Sequence, residues 1–274
     1  MDDLSLATLL PFALALFVTG AFAGVLAGLL GVGGGIVVVP VLFWVFKTLG
    51  FAPELGMQVA VGTSLVIVAA TALSSAMSHH KRGSVDIALV RRWSPWMVLG
   101  AFAGGTVAGL VDGTLLLVVF GIVALWVAWN LARPNSKVIA DELPSRAGVQ
   151  PAMAGSVGLV SAMMGIGSGT LGVPLMTAFS VPVHRAVGTA AALGLMIGVP
   201  GAVAMVIFGL GVLGRPPLSL GFVNIIAVVL ILPLSVLCAP LGTRLAHALS
   251  PIWIKRAFAV FLLITSLRML MSAF

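Results

Sequence analysis

Two clusters of small residues are the part of this chain best suited to chemistry, and that chemistry is the binding of an anion. The motif GVGGG covers 31–35 and the motif GIGSG covers 165–169. Glycine lets a ligand approach the backbone, and amides at a helix N-terminus carry about half a positive charge. The candidate binding residues are Gly33, Gly34, Gly35, Gly167, Ser168 and Gly169, with the Ser168 hydroxyl as an additional donor.

Hydroxyl residues further along the chain repeat in the same way. VGTS at 61–64 follows the first cluster and VGTA at 187–190 follows the second, so Thr63, Ser64 and Thr189 are the next candidate donors. All aspartates and glutamates fall in predicted loops or at helix ends, whereas membrane proton relays usually use a buried carboxylate. The coupling ion therefore stays open, and we expect no catalytic residue, cofactor or metal site.

Composition indicates a protein that crosses a membrane several times. The chain has 274 residues, of which 61% are hydrophobic and 8% are charged. About eight uncharged stretches approach or exceed the roughly 20 residues that span a bilayer as a helix. The net charge of +7 comes from cations that flank these stretches, without a basic face interleaved with aromatic residues. We therefore expect an all-α polytopic membrane protein whose partners are the lipid bilayer and a small anion, and no nucleic acid.

The duplicated motifs divide the chain into two four-segment repeats. Each repeat opens with a glycine-broken helix or re-entrant hairpin and continues with three helices. We expect an N-terminal repeat at 1–132, a cytoplasmic linker at 133–149 and a C-terminal repeat at 150–274. Whether the first broken segment crosses the membrane completely is left open.

The distribution of lysines and arginines distinguishes between two possible orientations of the repeats. Inverted repeats, with 79–92 in the cytoplasm, leave only Lys47, Arg215 and Arg268 outside and 11 cations inside. Parallel repeats give nine inside and five outside. The excess of cytoplasmic positive charge favours inversion. Inversion also places the 244–256 loop in the cytoplasm and the C-terminus in the periplasm.

A structural interpretation of the glycines competes with the binding interpretation. Rows such as Gly20/Gly24/Gly28 and Gly100/Gly104 have the spacing that lets membrane helices pack closely. We expect these two rows to serve packing, and packing is also the alternative for the duplicated clusters. The four histidines adjoin cations at segment ends, so we expect them to be solvated.

The two glycine clusters, with Val39-Pro40 and Val173-Pro174 after them and the paired VGT elements, resemble the TauE/SafE family, the sulfite exporter or sulfonate permease family. The resemblance covers nearly the whole chain. It implies a multi-pass protein of the bacterial inner membrane that transports sulfite, thiosulfate, sulfonates or sulfoacetate. It fixes neither the substrate nor the choice between import and export, and the oligomeric state stays open.

Three other functions compete with a carrier that works by alternating access. An anion channel would share every motif, and a membrane assembly or interaction factor would need only the hydrophobic segments. An intramembrane serine hydrolase would need a histidine within hydrogen-bond reach of Ser168. Because no histidine is predicted at that depth, we expect no enzyme.

Overall fold

The computed structural model describes residues 6–132, 138–144, 146, 148–248 and 252–273; for 6–9, 247–248 and 252–257 the description covers the backbone only. These residues form ten helices and one two-stranded hairpin, joined by loops. The helices are α1 (Leu6–Leu30), α2 (Gly35–Thr48), α3 (Pro53–His80), α4 (Ile87–Leu110), α5 (Gly113–Ala132), α6 (Val149–Met163), α7 (Gly169–Ala178), α8 (Val183–Gly209), α9 (Ile225–Ala248) and α10 (Ile252–Met271). The strands β1 (Ser219–Leu220) and β2 (Val223–Asn224) pair antiparallel just before α9.

This architecture confirms the expected all-α polytopic membrane protein. Five of the described helices, α1, α3, α5, α8 and α9, are long and apolar enough to cross a membrane. The eight predicted segments become ten helices because each glycine cluster splits one segment in two. α1 and α2 share the first split segment, and α6 and α7 share the second.

The two glycine rows pack helices of opposite halves against each other. A Cβ atom added at Gly20, Gly24 or Gly28 would overlap the backbone of α9, and one added at Gly100 or Gly104 would overlap that of α6. In both pairs the residue numbers of the contacting positions increase together along the two helices. Hence α1 runs parallel to α9, and α4 runs parallel to α6. The expectation that these rows serve packing is confirmed.

Two long helices, α3 and α8, cross at the centre of the bundle. Gly194 of α8 faces Ala72 of α3, and Gly201 of α8 faces Leu65. The residue numbers of the contacting positions decrease along α3 as they increase along α8, so the two helices run antiparallel. Small residues at this contact let the backbones approach closely, which is how membrane helices gain packing energy without a hydrophobic driving force between them.

The first glycine cluster is the turn of a helical hairpin. The Ser75 hydroxyl of α3 donates to the Ala27 carbonyl of α1 over 3.3 Å. Because α1 and α3 both run parallel to α9, they run in the same direction. α2 runs the opposite way, because its start faces Val68 in the middle of α3 while Phe46, near its end, faces Gly56. In the same way, α6 runs parallel to α8 and α7 runs antiparallel to it.

Charged side chains of the described residues collect at the two ends of the bundle. At one end Lys47 lies against Ser272, with Nζ to Oγ at 3.4 Å. At the other end Arg185 forms an ion pair with Asp86 at 3.0 Å. Arg133 and Lys137, and the side chains of Lys255 and Arg256, lie outside the described residues, so their part in the charge comparison is a prediction from sequence alone.

Candidate functional site

The two glycine clusters meet at the middle of the bundle. The Gly167 amide donates to the Val32 carbonyl over 3.0 Å. A Cβ atom added at Gly169 would overlap the carbonyl of Gly31, and one added at Gly35 would overlap that of Gly165. The two turns therefore cross antiparallel in direct contact, and we call the residues 31–35 and 165–169 the crossing. Val68, near the middle of α3, touches Gly33 and Gly35 and places the crossing at mid-length.

Two helices begin at the crossing. Gly34 precedes α2 in the left-handed conformation, with φ of 79°, which favours glycine at this position. Ser168 precedes α7. Neither residue caps its helix with a side-chain hydrogen bond. The first-turn amides of both helices therefore lie at the crossing, and each N-terminus supplies about half a positive charge there.

Two of the predicted hydroxyl donors hold the crossing together. Ser64 of α3 donates to the carbonyl of Gly165 over 2.7 Å, and Ser168 donates to the carbonyl of Ala190 in α8. Both side chains are fully buried. In this conformation each hydroxyl proton is engaged by the protein, so the role of these residues in binding a ligand stays a prediction.

The threonine hydroxyls of the VGT elements bind loop amides outside the crossing. The Thr63 hydroxyl accepts a hydrogen bond from the amide of Asn224 over 2.9 Å. The Thr189 hydroxyl accepts one from the amide of Asp86 over 3.0 Å. Asn224 and Asp86 in turn cap the N-termini of α9 and α4 through their side chains. Each VGT element thus anchors the start of one further helix.

Glycine within the VGT elements explains why they recur together with the threonine. A Cβ atom added at Gly62 would overlap the carbonyl of Phe222, and one added at Gly188 would lie 2.5 Å from that of Ser84. The glycine admits the incoming loop and the threonine binds its amide. This packing role was not visible in the sequence, because the partner loop lies far along the chain.

Thr170, directly after the crossing, is a buried hydroxyl residue that sequence reasoning did not single out. It is the second residue of α7 and only 3% exposed, and its hydroxyl has no hydrogen-bond partner among the described residues. A signal was present in the sequence. A hydroxyl residue in the first turn after a glycine-broken segment stands beside the amides that would bind an anion.

One histidine departs from expectation. His79 at the end of α3 is 1% exposed, and its Nε2 lies 3.0 Å from the carbonyl of Gly28. The C-terminal end of α1 covers it, so the expectation that all four histidines are solvated is wrong for His79. In the part of the chain that is described, no group of three or more histidine, cysteine, aspartate or glutamate side chains could hold a metal ion.

Comparison with known proteins agrees with this architecture. The family model Sulfite exporter TauE/SafE matches residues 16–269. A probable membrane transporter protein of Haemophilus influenzae is 30% identical over 95% of this chain and 99% of its own length. A probable membrane transporter protein of Methanocaldococcus jannaschii is 27% identical over 86% of this chain and 87% of its own.

A third relative, the probable membrane transporter protein YunE of Bacillus subtilis, is 31% identical over 71% of this chain and 78% of its own length. No solved structure matches the chain significantly. The family match covers nearly the whole chain, and these relatives share the description as transporters. The chain therefore belongs to the sulfite exporter TauE/SafE family and is a membrane transporter.

Proposed function

We propose that the chain is a secondary transporter of small sulfur-containing anions in the bacterial inner membrane. The candidate substrates are sulfite, thiosulfate, sulfonates and sulfoacetate. The anion is held at the crossing by the N-termini of α2 and α7, and it moves by alternating access without any enzymatic step.

One observation carries this proposal: two helices begin at the crossing, at mid-length of the bundle, and neither N-terminus has a side-chain cap. An anion in a bilayer needs donors that replace its water. Backbone amides supply them without introducing a buried cation. Broken helices that aim their positive ends at one point near the midplane are the usual anion site of secondary transporters.

The antiparallel contact of α3 and α8 supports inverted repeats. These helices carry the corresponding elements VGTS at 61–64 and VGTA at 187–190. Equivalent membrane helices that run in opposite directions are related by an axis in the membrane plane, since an axis along the membrane normal would make them parallel. The equivalent contacts of α1 with α9 and of α6 with α4 agree with this axis.

Alternating access follows from this symmetry as an exchange between two related arrangements. The Thr63 contact with Asn224 joins the two repeats at one place, and the Thr189 contact with Asp86 joins them at the symmetry-related place. We infer that one contact loosens while the other holds. The anion at the crossing is thereby exposed to one side at a time.

The experiment is uptake into proteoliposomes. Labelled sulfite, thiosulfate, sulfoacetate, taurine and acetate are offered to purified protein and to empty liposomes. We expect saturable uptake of at least one sulfur anion and none of acetate. Uptake should accelerate when the same anion is preloaded inside, because a carrier returns faster when loaded. Flux without this acceleration would indicate a channel, and no flux of any anion would favour an assembly or interaction factor.

A further inference from the structure

We propose that the Thr170 hydroxyl is a substrate-binding donor that completes the anion site on the α7 side. This inference rests on the proposed function, because it assigns a residue to the same site. It goes further by naming the one hydroxyl there that the protein leaves unused. The ligand it fits is an anion with an oxygen acceptor, such as a sulfur oxyanion or a sulfonate.

Burial without a partner is the first reason. Thr170 is 3% exposed, and its Oγ1 finds no acceptor or donor among the described residues. Native proteins satisfy the large majority of buried polar atoms. An unsatisfied hydroxyl within a membrane bundle therefore indicates an occupant that supplies the missing hydrogen bond.

Position is the second reason. Side chains on a helix tilt toward its N-terminus, so the hydroxyl of the second residue of α7 leans toward the first-turn amides. These amides lie at the positive end of a ten-residue helix that begins at the crossing. A donor beside such amides adds a hydrogen bond to whatever anion they hold.

Elimination among the neighbouring hydroxyls is the third reason. Ser64 and Ser168 donate to the carbonyls of Gly165 and Ala190. Thr63 and Thr189 bind the amides of Asn224 and Asp86. Thr170, the residue directly after the crossing, has no such partner among the described residues. The two other buried hydroxyls without a partner there, Thr106 and Ser161, lie on α4 and α6 and not in the first turn of a helix.

The two repeats differ at the position of Thr170, so the site is asymmetric. The position corresponding to Thr170 in the first cluster is Ile36, and that corresponding to Ser168 is Gly34. An anion at the crossing therefore meets amides alone from α2 but amides and a hydroxyl from α7. The hydroxyl fixes the orientation of the anion, with an oxygen toward α7.

The test compares three variants of the full-length protein in detergent. Thr170→Val keeps the shape and removes the hydroxyl, and Thr170→Ser keeps the hydroxyl. Thr177→Val is the matched control, since Thr177 lies on the same helix and its hydroxyl is engaged by the Val173 carbonyl over 2.9 Å. Binding of sulfite and of methanesulfonate is measured by calorimetry, and unfolding without ligand by thermal denaturation.

We expect Thr170→Val to weaken binding of the anion about tenfold or more, as the loss of a hydrogen bond to a charged acceptor does. Thr170→Ser should retain most of the affinity and Thr177→Val nearly all of it. Without ligand, Thr170→Val should be at least as stable as the wild type, because it removes an unsatisfied buried group.

The outcomes separate this inference from the proposed function. If the wild type binds an anion and Thr170→Val binds it equally well, the hydroxyl has no part in the site while the transporter function stands. If ligand-free Thr170→Val is clearly less stable than Thr170→Ser, the hydroxyl has a partner within the protein and the inference is overturned. Failure of the wild type to bind either anion would remove both the inference and the proposed sulfur-anion site.

Discussion

The amide of Asn224 donates to the hydroxyl of Thr63 over 2.9 Å and ties the start of α9 to α3. The two repeats are thus joined by a contact in addition to the crossing. The corresponding contact, between the amide of Asp86 and the hydroxyl of Thr189, ties α4 to α8.

Removing the Thr63 hydroxyl should destabilise the protein. Thr63→Val leaves a buried amide without its acceptor, and we expect a loss of about 1 kcal/mol in the free energy of unfolding. Thermal denaturation in detergent measures the change. Thr48→Val is the control, because the Thr48 hydroxyl donates to a carbonyl of its own helix at an exposed position. Equal stability of both variants would show that the Asn224 contact contributes nothing.

A pair of glycines on α7 should respond in opposite ways to alanine. At Gly169 the added methyl group would overlap the backbone of Gly31, so we expect Gly169→Ala to destabilise by about 1–3 kcal/mol. At Gly172 the nearest atoms, on Ser168 and Met176, lie 3.8 and 3.9 Å away. Gly172→Ala should therefore be neutral or stabilising by about 0.5–1 kcal/mol. Equal thermal stability of the two variants would contradict the close crossing.

Asp86 combines a helix cap with an ion pair, and two substitutions separate them. Asp86→Asn keeps a capping oxygen and removes the ion pair with Arg185, whose side chain is 57% exposed while that of Asp86 is 21% exposed. We expect it to cost less than about 1 kcal/mol, and the difference from wild type should vanish at high salt. Asp86→Ala also removes the cap and should cost about 1 kcal/mol more. A larger effect of Asn than of Ala would refute this division.

The orientation in the membrane is tested at the C-terminus. Inverted repeats place 79–92 and the 244–256 loop in the cytoplasm and the C-terminus in the periplasm. A reporter that is active only in the cytoplasm should therefore give no signal when fused after Phe274 and a strong one when inserted at Gly83. Strong signals from both fusions would indicate parallel repeats.

The charge of the site predicts which form of the substrate binds. Two helix N-termini supply about one positive charge, so a singly charged anion should bind more tightly than a doubly charged one. Lowering the pH through the second pKa of sulfite should then raise its affinity and leave that of methanesulfonate nearly unchanged. Calorimetry with both ligands across this range decides the question. A parallel change for both would assign the proton to a protein group such as His79, and equal affinity for sulfate would require a buried cation.

Local spacing predicted the parts of the fold that depend on neighbours in the chain. The Gly20, Gly24 and Gly28 row indicates a smooth helix face whatever lies against it. The two glycine clusters indicate broken helices because glycine disfavours a continuous helix. The identity of the partners was not predictable, since α9 lies about 200 residues from α1 and nothing in its sequence specifies which helix it meets.

Prediction from sequence fails most clearly where one residue type can serve two functions. Thr63 and Thr189 repeat at matching positions, and a repeated hydroxyl beside a glycine suits a ligand as well as a backbone amide. The loops that supply these amides, around Asp86 and Asn224, come close only in the folded bundle. His79 shows the same limit, because its burial depends on the end of α1, and the residues that follow it, His80, Lys81 and Arg82, are polar or charged.

The parallel pairing of α1 with α9 has a consequence for biosynthesis. The Gly20, Gly24 and Gly28 face of α1 is synthesised about 210 residues before the α9 residues that it contacts, which corresponds to about 10–40 s of elongation. During that interval the face is bordered by lipid or by the insertion machinery. Docking of α9 onto α1 is therefore a late step of assembly, and a ribosome that stalls before Ile231 leaves a nascent chain in which the glycine face of α1 is not yet covered by α9.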